Sequence, residues 1–450
     1  MDLIDLLRKP EGKTLEFKRD LSSANPFLRS VVAFSNTSGG TILIGVEDRT
    51  RHVMGIADPV ALEERVANLV VDSISPKVLP DIEILRYSDR HLLAVRVYPS
   101  SSRPHSLGAD PETGVYVRVG STNRIADEHL VAEMRRYARR ESFDERPMPE
   151  LDSGAIDFRA ASESFSEFRR LMQRDLDILR LCVTHQGSRV PTVGGILLFG
   201  RNRLAHFPDA WIQAGRFSGI DKTNILDRAE LSMSLADAIP AAMAFIERHL
   251  ASGVEIGPVR RTPRWTLPPV VVREALVNAV VHADYSQRGA PIRLAIFDDR
   301  LEIENPGLLP FGLTLDELPR GVSKLRNRVI GRVFHELGLA EQWGSGAQRM
   351  IAECREAGLA PPVWEEIGAR LRVTISTERV GERTADSIDQ AIVQMLDAGA
   401  GLGTSEIAAA IGRSTRATRS RLARLVARGL AVEIGTGPRD PKRKYYRARD

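Results

Sequence analysis

Apolar and polar positions fall into distinct rhythms along the chain. TILIGVED (41–48), HLLAVRVYP (91–99) and GVYVRVG (114–120) are β-rich runs that predict short strands. VALEERVANLVVDSI (60–74) and DEHLVAEMRRYARR (127–140) repeat apolar residues at helical spacing, which predicts amphipathic helices. The polar stretch ESFDERPMPELDSG (141–154), with Pro147 and Pro149, reads as a linker. Residues 155–378 then alternate helices and strands in an α/β manner, and a second polar stretch, STERVGERTADS (376–387), leads into a last block at 385–450. Three domains are expected: 1–140, 155–378 after the linker 141–154, and 385–450. That number suits 450 residues at about 100–200 per domain.

In the last block, SIDQAIVQMLDAG puts Ile388, Ala391, Ile392, Met395 and Leu396 on one helical face. TSEIAAAIG offers Thr404 as helix cap, Glu406 in the first turn and Gly412 as a stop. STRATRSRLARLVARGL follows, capped by Ser414 or Thr415, with Leu422, Leu425 and Val426 facing inward. AVEIGTGPRDPKRKYYRA reads as a hairpin with a charged turn. Helix, helix, short turn, basic helix and hairpin is the order of a winged helix-turn-helix.

Charge sharpens that reading. Lys+Arg 63 against Asp+Glu 59 leaves only +4 overall, yet residues 385–450 hold 12 Lys/Arg against 7 Asp/Glu. The surplus sits in two clusters, one with Arg413, Arg416 and Arg419 at the start of the basic helix, the other with Arg439, Lys442, Arg443 and Lys444 at the hairpin. These are the positions from which such a fold meets base edges and phosphates of duplex DNA. Two cysteines, Cys182 and Cys354, exclude a disulfide scaffold and a Cys-rich zinc site. Charges throughout the first 17 residues, and the lack of a long apolar run, lead to the expectation of a cytoplasmic protein with no membrane partner.

The central block holds the most informative chemistry. Gly12-Lys13-Thr14 is not a phosphate loop, because Leu7 stands where its leading glycine belongs. In WTLPPVVVREALVNAVVHADYS a helix is expected from Pro268-Pro269 to about Val281. It is largely apolar and fit for burial, yet Glu274, Asn278 and His282 form a polar row at i, i+4 and i+8. Buried polar groups of this kind need a partner or an ion. PIRLAIF then alternates as a strand, Asp298-Asp299 turns it, and RLEIEN returns into Asn305-Pro306-Gly307.

These segments, with GGILLFG, FPDA, RNRVIGRVF and GLAEQWGSGAQRM, resemble the GHKL ATPase fold. The nearest likeness is the divergent branch called RecG C-terminal-like or divergent AAA, over roughly residues 190–360. The resemblance implies ATP and Mg²⁺ as cofactors, with Asn278 holding Mg²⁺, Glu274 as general base for hydrolysis and His282 beside them. It places Asn305 and Gly307 at the family's adenine-side Asp-x-Gly, and Gly344 and Gly346 in its phosphate-lid glycine box. Two departures, Asn305 for the family's Asp and Ala283 for its usual basic residue, point to binding with weak turnover.

EGKTLEFKRDL, VVAFSNTSGGTILIGVEDRTRHVMGI and GVYVRVGSTNRIAD resemble the Schlafen-type divergent AlbA domain, over most of residues 3–138. That resemblance implies nucleic-acid contact, and an acidic trio at Glu11, Glu16 and Asp48 as in relatives that cut RNA. Three carboxylates around Mg²⁺ or Mn²⁺ would make a hard-cation site. Lys18, Arg19, Arg118 and Arg124 would hold backbone. The competing reading of Glu16-Phe17-Lys18 is an ordinary edge strand.

The fold class expected is therefore α/β and α+β multidomain: an AlbA-like domain, a GHKL-like α/β sandwich and a winged helix. The same order of modules occurs in a family of transcriptional regulators. The leading expectation is an ATP-binding, DNA-binding homodimeric regulator. The alternative is a metal-dependent nuclease, acting on RNA or DNA and gated by ATP.

Overall fold

The computed structural model describes residues 3–48, 50–108, 114–256, 261–340, 344–379, 387–397, 401–427, 430–434 and 444–447. Two compact units emerge, Met1–Thr377 and Glu378–Asp450.

The first unit begins with a four-stranded sheet. Its elements are β1 (Leu15–Lys18), α1 (Ala24–Asn36), β2 (Gly40–Ile44), α2 (Pro59–Ser73), β3 (Asp81–Tyr87) and β4 (Arg90–Val97). Strand order is β1-β2-β4-β3, with β1 and β2 parallel, so β1 is an edge. Helices α1 and α2 bury their apolar faces on it through Phe27, Val31, Val32, Val66 and Val70. A small hairpin, β5 (Tyr116–Val119) and β6 (Thr122–Ile125), leads to α3 (Glu128–Ala138), whose cap Asp127 accepts from the Leu130 amide.

A larger core follows. Its elements are α4 (Val193–Phe199), β7 (Ile212–Phe217), β8 (Ile225–Leu231), α5 (Leu235–Leu250), α6 (Pro269–His282), β9 (Ile292–Ile296), β10 (Arg300–Pro306), α7 (Arg328–Glu336), α8 (Gly346–Glu356), β11 (Val363–Ile367) and β12 (Arg370–Ser376). Six strands run in the order β8-β7-β9-β10-β12-β11, with β7 and β9 parallel and the rest antiparallel. Helix α5 packs on β7 and α6 on β10, sharing one core. Cys182 and Cys354 are buried, and burial pushes the Cys354 thiol up to about 11.

Residues 141–154 are not an open connector. Asp144 is fully buried and accepts from the backbone amides of Arg328, Val329 and Ile330, capping α7. Burial raises its carboxyl to about 6 despite those donors. Met148 joins the large core as well. Polarity and prolines hid this role, because the partner amides lie more than 180 positions away.

The N-terminal sheet and the larger core are also stitched together. Phe311 enters an apolar cluster with Val115, Val117 and Met134. The Lys13 ammonium meets Glu366 at 2.6 Å, and the Gly312 amide donates to the Thr37 carbonyl at 3.1 Å.

The second unit contains α9 (Ser387–Asp397), β13 (Leu402–Gly403), α10 (Thr404–Ala410), α11 (Thr415–Ala427), β14 (Ala431–Ile434) and β15 (Lys444–Arg447). Its sheet runs β13-β15-β14, and its core joins Ile392, Leu396, Ile407, Leu422, Leu425 and Tyr445. Thr404 is the first residue of α10 rather than its cap. The Gly403 amide is satisfied by the Glu406 carboxylate at 2.6 Å. Ser414 caps α11 through the Ala417 amide. No helix among the described residues is long and apolar enough to cross a membrane.

Candidate nucleotide site and the acidic cluster

Helix α6 starts with Pro269 at its first turn, where the missing N–H costs nothing. Val271, Val272, Ala275, Leu276, Val277, Ala279, Val280 and Val281 are all buried, which fixes the helix against the sheet. The Asn327 side chain stops its far end, donating to the carbonyls of Val281 and Ala283. So held, α6 turns its polar row into a cavity of about 510 Å³. Glu274, Asn278, His282, Asn305, Gly344 and Gly346 all line it. Residues from three separate stretches of chain thus converge on one space, whose volume suits a small ligand.

The geometry within it is specific. The Asn278 amide nitrogen donates to Glu274 Oε1 at 3.2 Å, which turns the amide oxygen to the other side. Gly346 opens α8, and a Cβ there would collide with the Glu274 carboxylate. A glycine is required for the helix N-terminus to approach that carboxylate, an arrangement the helix dipole favours. Gly344 has φ +67°, and a side chain there would meet Ser323. Burial, with Arg326 nearby, lowers the His282 imidazole to about 4, so it is neutral at pH 7. Its Nδ1 is buried with no hydrogen-bond partner. Asn305 donates to the carbonyls of Pro306 at 3.1 Å and His282 at 3.5 Å.

Gly307 does not line the cavity. It has φ +97°, and a Cβ there would strike the Arg326 guanidinium, so its role is to let that side chain pass. Arg326 was not singled out by sequence. It donates to the carbonyls of His282 and Leu308 and pairs with Glu133 of α3 at 2.9 Å. One buried cation thereby joins the end of α6, the cavity loop and the N-terminal module. Its only signal in sequence was the density of basic residues in 320–328.

The acidic trio is arranged otherwise. Burial raises the Glu11 carboxyl, against the pull of the Phe17 amide, with Asp48 alongside it. Glu16 is 4% exposed and already neutralised: Arg118 meets it at 2.6 Å, Lys18 at 2.5 Å and the Ser30 hydroxyl at 2.8 Å. Arg118 is itself buried, also donating to the carbonyls of Gly12 and Leu15, so it braces the edge strand and is closed to a nucleic-acid backbone. Among the described residues no group of three or more His, Cys, Asp or Glu is placed to hold a metal ion.

In the second unit Arg413, Arg419 and Lys444 are exposed. The Arg416 side chain, Arg439, Lys442 and Arg443 lie outside the described residues, as does Trp343 beside the glycine box.

Two family models match the chain. One, described as "Schlafen, AlbA_2", covers residues 11–127, and the other, "Putative ATP-dependent DNA helicase recG C-terminal", covers 289–375. The chain carries both domains. The second match takes in Asn305, Gly344 and Gly346 but begins after α6, so the Glu274–Asn278–His282 row meets it only in three dimensions. The chain is similar to the solved DIP2311 protein of Corynebacterium diphtheriae, at 18% identity over 97% of this chain and 95% of that one, TM-score 0.43. It is also similar to the N-terminal domain of a "Putative ATP-dependent DNA Helicase RecG-related Protein" of Nitrosomonas europaea. That match has 23% identity over 28% of this chain and 94% of that one, TM-score 0.22. No curated protein matches the chain.

Proposed function

We propose that this chain is an ATP-binding, DNA-associated regulator, in which nucleotide in the α6 cavity biases a dimeric, DNA-bound conformation. The observation that carries it is the convergence of Glu274, Asn278, His282, Asn305, Gly344 and Gly346 on one cavity. The site suits the nucleotide on its own features: the glycine cradle around Glu274, the unpartnered Nδ1 of His282 and the outward amide oxygen of Asn278. Bound Mg²⁺ would neutralise phosphate charge, with Asn278 as its ligand from the protein. Glu274 orients water and takes its proton. Asn305, its nitrogen committed to backbone carbonyls, keeps only its oxygen for a base amine. An uncharged acceptor there fits slow turnover and a role in sensing nucleotide.

The C-terminal unit acts as a winged helix, α11 entering a major groove and the hairpin lying on phosphates, with two copies reading two half-sites. Its support is the order of three helices and an antiparallel sheet, together with exposed Arg413, Arg419 and Lys444. The nuclease alternative has the Glu11–Asp48 neighbourhood in its favour and the Glu16–Arg118 pair against it. Calorimetric titration of ATP with Mg²⁺ into the wild type and Asn278→Ala tests the pocket. Weaker binding in the variant is expected, and equal affinity removes the assignment.

A further inference from the structure

We infer that the seam between the N-terminal module and the larger core carries a phosphate-tracking groove for single-stranded nucleic acid. It lies within the first unit and is distinct from the nucleotide cavity, with which it shares the stretch from Lys324 to Arg328. The inference rests on the nucleic-acid association proposed above and names a surface that would provide it.

Helix α3 ends in RRYARR (135–140), and the chain then bends through Arg140 to Phe143. A cavity of about 510 Å³ opens at this bend, with Arg136 and Arg140 on one side and Lys324 and Arg328 on the other. A second groove of about 550 Å³ also has Phe143 in its lining, together with Arg146, Phe207 and Arg288. Phe143 is thus a wall common to both. Arg136 stands 5.3 Å and Arg146 5.6 Å from its ring centroid, and Phe207 meets the ring edge-on at 6.4 Å.

The carboxylates nearby are engaged internally. Glu133 holds Arg326, Asp144 caps α7, Glu145 takes Ser142 and Arg328, and Asp284 takes Ser286 and Gln287. Glu141 and Glu150 stay exposed at the rims. Against them stand Arg140, Arg146 and Arg288, all exposed, and Arg136, half-buried against the Phe143 ring. Burial lowers the Arg136 guanidinium, against the pull of Asp284 and Glu133, and Arg146 and Arg326 add like charge to the same side.

Guanidinium groups spaced around aromatic rings match what a single strand offers: phosphates in series and unstacked base faces. A duplex hides those faces. The neighbouring wall, Lys324 to Arg326 with Arg328, also lines the nucleotide cavity, so both ligands would touch the same loop.

The test is fluorescence anisotropy of the full chain with short labelled single-stranded DNA, single-stranded RNA and duplex DNA, each at several salt concentrations. The key variant combines Arg140→Glu and Arg146→Glu. Its affinity for single strands should fall at least tenfold, and its log–log salt slope should shrink by about 0.7 for each phosphate no longer neutralised. ATP affinity should be unchanged. Phe143→Leu should weaken single-strand binding severalfold and leave the slope alone. If charge reversal lowers the melting temperature, Arg140→Gln with Arg146→Gln carries the same test. Equal weakening in the DNA and RNA arms assigns the groove to the shared backbone, and weakening in one arm alone assigns it to that strand. Wild-type affinity and slope in the variant overturn the inference. If binding instead weakens only in Arg413→Glu with Arg419→Glu, the inference falls and the DNA-associated reading stands. If the wild type binds no nucleic acid, both fall.

Discussion

The α6 row and the acidic trio begin as the same kind of signal, carboxylates and amides spaced for a hard cation, and they end in opposite states. Glu274, Asn278 and His282 lie on a helix whose apolar face is packed on the sheet, and all three line a cavity. Glu16 lies on an edge strand, where Arg118 arrives from β5 and closes it. The difference teaches that a polar group is available for ligand chemistry only where the fold leaves space in front of it, as the cavity does for the α6 row. Spacing along the chain says little about that.

The comparison breaks most visibly at Arg118. Arg118→Ala leaves Glu16 buried without its main countercharge and should cost about 3–5 kcal/mol in urea unfolding. A loss under about 1 kcal/mol would return Glu16 to the candidates for ligand binding.

Next comes acid. His282 is lowered from 6.5 to about 4, so the folded state favours the neutral ring. Its contribution is complete above pH 6.5 and is lost as pH falls through 6.5 towards 4, up to about 3 kcal/mol. Melting temperatures of wild type and His282→Gln should therefore converge across that window. Parallel curves would mean that the ring titrates normally.

Asn278→Ala should cost about 2 kcal/mol of Mg²⁺-ATP affinity, close to thirtyfold, while hardly moving stability. A variant that unfolds more readily, yet binds as well, would make Asn278 a packing residue like those of the trio.

The smallest effect is at Glu11, whose carboxyl is raised by burial. A raised acid contributes stability below its unfolded pKa and loses it as pH rises through the folded one. Glu11→Gln should therefore stabilise the chain at pH 7, by well under about 1 kcal/mol given solvent screening, with no gain at pH 3. Destabilisation at pH 7 would point to an anionic role for Glu11.

Much of the local architecture was legible. The α6 boundaries, the strands at 292–296 and 300–306, the turn between them and the apolar faces of α9 and α11 follow from period, proline and capping, all effects within a few residues. Less legible were residues 141–154. Their polar appearance suits a linker, but Asp144 serves amides far along the chain. Gly307 was placed in the site by its motif position, while its positive φ serves the passage of Arg326.

Periodicity and proline position were enough to mark the main elements, because those depend on neighbours in the chain, and resemblance supplied the candidates for chemistry. Which candidates stay open was decided by tertiary structure. Glu16 and Arg118 are 102 positions apart and Arg326 and Glu133 are 193, yet each pair meets within 3 Å. Burial and countercharge act through space at such distances, and they close one acidic cluster while leaving a cavity in front of the other polar row.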